Sequence, residues 1–465
     1  MAGIGFQLAR VAREGGVGGI AAAAVHGAII SSGPWLLTAA GMILLERWTA
    51  HHLQGQAAHL VQTVLIYAFS VSALAAAPVG IVATRLVADR LFARDSAAIP
   101  GILLTALAAG GAIGLTVGLI LYAGLGGLPP ATALLSAVTL AWLTQIWIAA
   151  PMLTTLDRFR AVPAAYLLGI MLATGALLLL PHAGATGVLA AVGLGVGATL
   201  AAILMLLRRH FTGDAVLPAA GAMPRRLATI ISLAGIAGVI AIWIDKWILW
   251  FGPESGQALG LLRLNPINDE GSFLGLLTIV PGLTLLLIVT ETRFDRAFGS
   301  MLARCTGTST MERIEEARTD LVRVMLNGIR LLILVQLLVA ALAWVLAVPL
   351  FDLIGADVRA IFAFRQTSLG VVFHLAAIAT TVVLAYYDLF GRILATWAAF
   401  AIGSAIATWL QFDAGLAAFG WGYMAGAVVG ASVGIAMVAE ASVNLTYLLF
   451  VGNNPAVVGN GGRWL

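Results

Sequence analysis

Twelve apolar runs, each about 20 residues or longer, fill most of this chain, and that repetition decides what it can fold into. A helix rises about 1.5 Å per residue, so about 20 apolar residues cross a hydrocarbon core of about 30 Å. The runs lie near 20–45, 60–83, 99–122, 129–152, 163–181, 184–207, 227–251, 272–292, 327–350, 361–386, 391–411 and 416–450, and the fifth and sixth meet at Pro181-His182. The longest polar stretch left over, 293–326, falls short of the roughly 40 residues that a free-standing core needs. No soluble catalytic domain fits in the chain. The expected fold is an all-α polytopic membrane protein with about twelve transmembrane helices.

Composition agrees, since 61% hydrophobic against 10% charged residues is far from a soluble balance and equally far from a disordered one. Cys305 is the only cysteine, which excludes an internal disulfide. The net charge of +4 does not point to nucleic acid, because the basic residues are spread thinly between apolar runs. Their order sets the topology instead. Arg10 and Arg13, then Arg85, Arg90 and Arg94, then Arg158 and Arg160, then Arg208, Arg209, Arg225 and Arg226 occupy alternate connections. Arg293, Arg296, Arg304, Arg313, Arg318 and Arg323, then Arg392 and Arg463, continue the alternation, so 19 of the 25 basic residues lie on one side. Arg47, Arg263, Arg359 and Arg365 lie on the other. The positive-inside rule then places both termini in the cytoplasm. The first run, 20–45, is longer than a signal-peptide core of about 7–15 residues and is expected to remain as a transmembrane helix. Before it, Ile4, Leu8 and Val11 share a helical face, so residues 3–14 form either a short interfacial helix or a basic tail.

Glycines such as Gly110, Gly111, Gly114 and Gly118, or Gly193, Gly195 and Gly197, permit close helix approach, and Pro78, Pro151 and Pro281 mark kinks. Six runs in each half divide the chain into 1–226 and 227–465, two six-helix lobes in parallel orientation. The halves echo each other: Thr84-Arg85 with Asp89-Arg90 answers Thr292-Arg293 with Asp295-Arg296, and Asp157-Arg158-Phe159 answers Asp388-Leu389-Phe390. In the cytoplasmic loop 293–326, Ser309 and Glu312 form a capping-box pattern ahead of an apolar stripe, Ile314, Ala317, Leu321 and Met325. The i, i+3 pairs Glu315–Arg318 and Asp320–Arg323 support this amphipathic helix. Its polar face, with Glu312, Arg313, Glu316, Arg318 and Arg323, either docks a cytosolic partner or lies on the headgroups.

Ionisable groups inside apolar runs are the sharpest local signal, because each costs about 2.5–3.5 kcal/mol to insert. Asp245 and Lys246 sit near the outer end of the seventh run. Side chains at i and i+1 diverge on a helix, so the two are not expected to pair, and Lys246 is free to snorkel outward. Asp245 then either lines a cavity, as a polar or proton-coupled group, or bonds a neighbouring helix. Trp243, Trp247 and Trp250 form one stripe, which suits an interfacial aromatic belt or a platform on which sugar rings stack. Glu291 and Arg330 fall near the cytoplasmic mouth, and Glu440 lies within the last run. No metal-ligand cluster is apparent: His51, His52 and His59 have no carboxylate or thiolate with them, and His26 and His374 suit a polar core. With Lys246 the sole lysine, no phosphate-binding loop of the G-x-x-x-x-G-K-[ST] type is possible. Asp269-Glu270 is the nearest approach to a catalytic carboxylate pair, and an enzyme is not expected.

Gly3-Ile4-Gly5-Phe6-Gln7-Leu8, Ile30-Ser31-Ser32-Gly33-Pro34-Trp35, Asp245-Lys246-Trp247, Glu291-Thr292-Arg293-Phe294 and Tyr386-Tyr387-Asp388-Leu389 resemble the PelG family of Pel exopolysaccharide export proteins. The matches are scattered over essentially the whole chain. The resemblance implies a flippase-like transporter of the multidrug/oligosaccharidyl-lipid/polysaccharide superfamily, with two six-helix lobes around a central cavity, in a bacterial inner membrane. It also implies an N-acetylgalactosamine-rich biofilm polysaccharide as cargo, and as partners a cytosolic glycosyltransferase and other inner-membrane subunits of a synthesis complex. It supplies no catalytic residues, and no cofactor is expected. The alternatives are a cation-coupled exporter of small amphipathic molecules or lipid-linked sugars, and a non-transporting membrane scaffold for a synthase.

Overall fold

A computed structural model describes residues 16–53, 55–154, 161–180, 182, 184–211, 213, 223–256 and 259–452. No strand occurs among the described residues, and eleven helical segments are long and apolar enough to cross a membrane. With the 37-residue helix α1, Gly16–His52, they match the twelve apolar runs one for one. The others are α2 (Gln56–Phe92), α3 (Ile99–Leu119), α4 (Pro130–Thr154), α5 (Ala161–Leu179), α6 (Gly184–His210) and α7 (Arg225–Leu249). Then follow α8 (Pro266–Leu277), α9 (Val280–Val289), α10 (Asp295–Thr306), α11 (Met311–Ile354), α12 (Ile361–Tyr386), α13 (Phe390–Leu410) and α14 (Trp421–Val443). The segment 3–14, the Asp157-Arg158-Phe159 motif and Arg463 lie outside the described residues.

Two compact units divide the chain: Gly33–Val239 with Ser255–Leu264, and Met1–Ser32 with Ile240–Glu254 and Asn265–Leu465. In the first unit, glycine sets the helix spacing. A Cβ on Gly114 of α3 would lie 2.9 Å from Ala141 Cα of α4, and one on Gly195 of α6 would lie 2.6 Å from the Gly169 carbonyl oxygen of α5. Lipid tails are as apolar as side chains, so helices associate through such backbone approach rather than through a hydrophobic drive. Two tyrosines satisfy carbonyls deep in this unit: Tyr122 donates to Val64 O at 2.9 Å and Tyr67 to Arg263 O at 3.0 Å.

In the second unit the eighth run is not one helix. Pro281 sits at the start of α9, so α8 ends four residues earlier at Leu277, and a π-helical turn, Thr290–Phe294, leads into α10. The stretch 293–326, expected as a cytoplasmic loop with an amphipathic helix, is helical on both sides of a short turn, and that amphipathic helix is not separate but the beginning of the 44-residue α11. Nothing between Met311 and Pro349 breaks a helix except the single Gly328, so the amphipathic segment and the ninth run fuse. The capping box does not form. Thr310, not Ser309, is the N-cap and makes no side-chain cap bond, which shifts Glu312 out of the reciprocal N3 position.

Ile314, Ala317, Leu321 and Met325 are buried as their spacing predicts, the last three in one cluster with Phe294, Met301, Val383, Leu384 and Leu445. Both i, i+3 pairs also form, Arg318–Glu315 at 2.6 Å and Arg323–Asp320 at 3.0 Å. At the centre of this unit is α12, whose apolar window is 72% buried. The ladder Gly422, Gly426, Gly430 and Gly434 on α14 faces Thr408, Ser404 and Phe400 of α13 and Thr380 of α12.

Candidate functional site

The polar centre of the second unit starts in the last two turns of α7. Asp245 and Lys246 are 1% and 3% exposed, so neither side chain reaches water. Contrary to the divergence expected of neighbours on a helix, they pair: Lys246 Nζ donates to both Asp245 carboxylate oxygens at 3.1 Å. It also donates to Ile242 O at 3.0 Å and lies over the Tyr423 ring, 5.2 Å from its centroid. The reason is the length of the lysine stem. Its four methylenes fold back along the helix, and in a site without water the neighbouring carboxylate is the strongest acceptor within reach. Lys246 therefore does not snorkel.

Tyr423 ties this pair to α12, because its hydroxyl meets His374 Nδ1 at 2.7 Å, and His374 is ringed by Trp397, Phe400 and Tyr423 edge-on. His374 is the core histidine that its lone position suggests. Gly370, one turn earlier on α12, lets the ring in: a Cβ there would stand 2.8 Å from Tyr423 Cδ1.

The tryptophan stripe is split by its surroundings. Trp243 and Trp247 are half-buried, whereas Trp250 is 2% exposed and donates its indole N–H to Asp269, at 2.9 and 3.1 Å to the two carboxylate oxygens. A buried indole with a carboxylate partner is not part of an interfacial belt. Asp269 stands in the first turn of α8, where the helix N-terminus favours negative charge. Asn265 caps that helix by accepting from Asn268 N at 3.1 Å, with Pro266 following at the first helical position.

The sequence sets Asp269 with Glu270 ahead of the eighth run, as a carboxylate pair, and gives no sign of its bond to Trp250. The Asn-Pro start signal would have put it on the helix. Asn265 Nδ2 and both side-chain polar atoms of Asn268 are buried without a hydrogen bond, in a membrane site where such groups each cost about 1–3 kcal/mol.

The remaining candidates lie apart from this centre. Glu440 is not in the middle of a span: α14 ends at Val443, and in its last turn the exposed Glu440 pairs with Arg392 and accepts from Asn444 Nδ2 at 2.9 Å. Arg392 also donates to Met437 O at 3.1 Å, fastening α13 to α14. Glu291 is half-buried in the π-helical turn, and Arg330 is exposed on α11. Glu312, Arg313, Glu316 and Arg323 are exposed on the first turns of α11. Arg318 is engaged internally, donating to Ser442 O and Val443 O at 3.1 and 3.2 Å, while Thr446 donates to its partner Glu315 at 2.7 Å.

A cavity of about 30 Å³ lined by Leu286, Thr290, Phe294, Met325 and Val383 is apolar and shares no residue with the polar centre. No group of three His, Cys, Asp or Glu able to hold a metal occurs among the described residues.

Twelve apolar helical segments among the described residues, two of them fused to amphipathic extensions and one carrying a buried ion pair, define a polytopic membrane protein. Solved structures agree. A MOP superfamily transporter from Pyrococcus furiosus matches with a TM-score of 0.64 at 15% identity, over 91% of this chain and 96% of that one. A MATE structure in the bent conformation gives 0.66 at 16% identity, over 91% and 96%. An outward-facing multidrug resistance MATE family transporter gives 0.63 at 16% identity over the same shares, 91% and 96%. At this identity the likeness is one of fold. No curated protein matches significantly. The model of the PelG family, described as "Putative exopolysaccharide Exporter (EPS-E)", matches residues 1–450, and the chain belongs to that family.

Proposed function

We infer that this protein moves an N-acetylgalactosamine-rich exopolysaccharide of the Pel type through a bacterial inner membrane, both termini cytoplasmic, as a cytosolic glycosyltransferase makes it. The observation that carries this reading is the PelG family match over residues 1–450, joined to a MOP-type transporter fold. Residues 1–226 and 227–465 serve as the two six-helix lobes. Trp243 and Trp247 offer half-exposed indole faces on which sugar rings stack, while Asp245 and Lys246 fix the helix that carries them. Glu291, Arg330 and Glu440 stand at the cytoplasmic entrance, on the side to which the arginine-rich connections are assigned. The exposed face of Glu312, Arg313, Glu316 and Arg323 is where the synthase or a neighbouring membrane subunit docks, with Arg318 as the strut that holds this face to the end of α14.

The experiment is a deletion in the native host followed by separate measurement of polymer inside and outside the cell. Intracellular polymer that accumulates, with matrix polymer lost and restored by the wild-type gene, supports export. Normal matrix polymer in the deletion strain contradicts it. The second reading, an exporter of small amphipathic molecules, is favoured by one observation, the fold likeness to multidrug transporters. It predicts unchanged polymer and heightened drug sensitivity in the same strain.

A further inference from the structure

The surroundings of the Lys246 ammonium are those of a bound metal cation. An ammonium has three N–H donors, and all three are spent: two on the Asp245 carboxylate oxygens at 3.1 Å and one on the Ile242 carbonyl at 3.0 Å. The ammonium also lies over the Tyr423 ring, 5.2 Å from its centroid. Two carboxylate oxygens and a main-chain carbonyl are hard ligands of the kind that replace the hydration shell of an alkali ion in a membrane, and the aromatic face adds a cation–π contact. An ammonium is close in size to a potassium ion. The cage is buried, with Asp245 1%, Lys246 3% and Tyr423 0% exposed, and Tyr423 is held in place by His374 on a second helix and by the space Gly370 leaves.

We propose that Lys246 is a tethered cation occupying a latent alkali-ion site formed by Asp245, the Ile242 carbonyl and Tyr423. The charge that balances Asp245 is then part of the chain and cannot be exchanged with solution. This centre does not cycle a sodium or potassium ion, and whatever drives transport enters elsewhere. Removing the ammonium while keeping its cage opens the site to an ion from the medium. The inference concerns the charge balance of one buried site and holds for any cargo, so a failure here leaves the polysaccharide reading untouched, and the reverse.

The test is the thermal unfolding midpoint of the purified full-length protein, read by tryptophan fluorescence in sodium, potassium or choline chloride at equal ionic strength. The wild type and Lys246→Arg are expected to unfold at the same temperature in all three salts. Lys246→Ala is expected to be destabilised in choline and to recover by about 3 °C or more in sodium or potassium, and the Asp245→Asn/Lys246→Ala double variant to lose that recovery. The proposal is overturned if the wild type is itself stabilised by an alkali ion over choline. It is equally overturned if Lys246→Ala is unfolded or unstable to the same degree in every salt, or if the double variant still responds.

Discussion

At Asp245 and Lys246 a rule about side-chain direction met a stronger one about burial. Adjacent positions on a helix point apart, but two opposite charges 1% and 3% exposed have no water to turn to, and the lysine is long enough to fold back. Position in the chain was legible; partnership was not, because it depends on Tyr423, 177 residues away in sequence, closing the cage. Leaving one buried charge unpaired costs about 3–5 kcal/mol, whereas removing both costs less. Lys246→Met should therefore lower the unfolding temperature more than Asp245→Asn/Lys246→Met does, a comparison that thermal melts make directly. At Asn268, whose buried side-chain amide has no hydrogen bond, replacement by leucine should leave thermal stability equal or higher; a fall in melting temperature would show that the amide has a structural partner. Outside the spans, the Arg359 guanidinium donates to Asp357 and holds its carboxyl below the usual range. A depressed folded value means stabilisation present above the unfolded value of about 3.9 and lost as pH falls further. Asp357→Asn should thus melt below the wild type near neutrality and together with it in acid, by a small margin because Arg359 is exposed.

Helix number follows from run length alone, because a membrane leaves the backbone few other ways to satisfy itself, and all twelve expected runs are helical. Helix ends needed signals of another kind. The Asn265-Pro266 cap, read in time, moves Asp269 into α8; reading the last run to 450 instead of stopping at Val443 placed Glu440 too deep. The stripe Ile314, Ala317, Leu321 and Met325 is one buried face as its spacing predicts, while its continuity with the ninth run is hidden by the charges interspersed along 314–325. Burial ranks these positions: Leu321→Ala should cost about 2–5 kcal/mol, and Glu312→Ala less than about 0.5, in the same melts. Close backbone contact predicts a second contrast. Gly195→Leu must displace α5 from α6 and should lower folded yield, whereas Gly175→Ala, with open space around it, should be neutral or mildly stabilising.

For the molecule as a whole, the alternation of arginine predicts a topology that labelling can check. In a Cys305→Ser background, Ser300→Cys should react with an impermeant maleimide in inverted vesicles and His52→Cys in intact cells, both positions being exposed; the opposite pattern would invert the orientation. The polytopic membrane class is written in the apolar runs and borne out by the fold, and the match over residues 1–450 shows the exporter family, but no residue pattern in the chain spells out its cargo. That is expected where recognition rests on stacking and scattered hydrogen bonds rather than on a catalytic constellation. The central claim, export of polymer, is met most directly in inverted membrane vesicles that contain this protein and its glycosyltransferase, supplied with labelled UDP-N-acetylgalactosamine and then with a glycosidase. Polymer that resists digestion only when this protein is present, and that becomes digestible once detergent opens the vesicles, is the predicted result. Polymer made in full but digested equally with and without this protein would contradict the account.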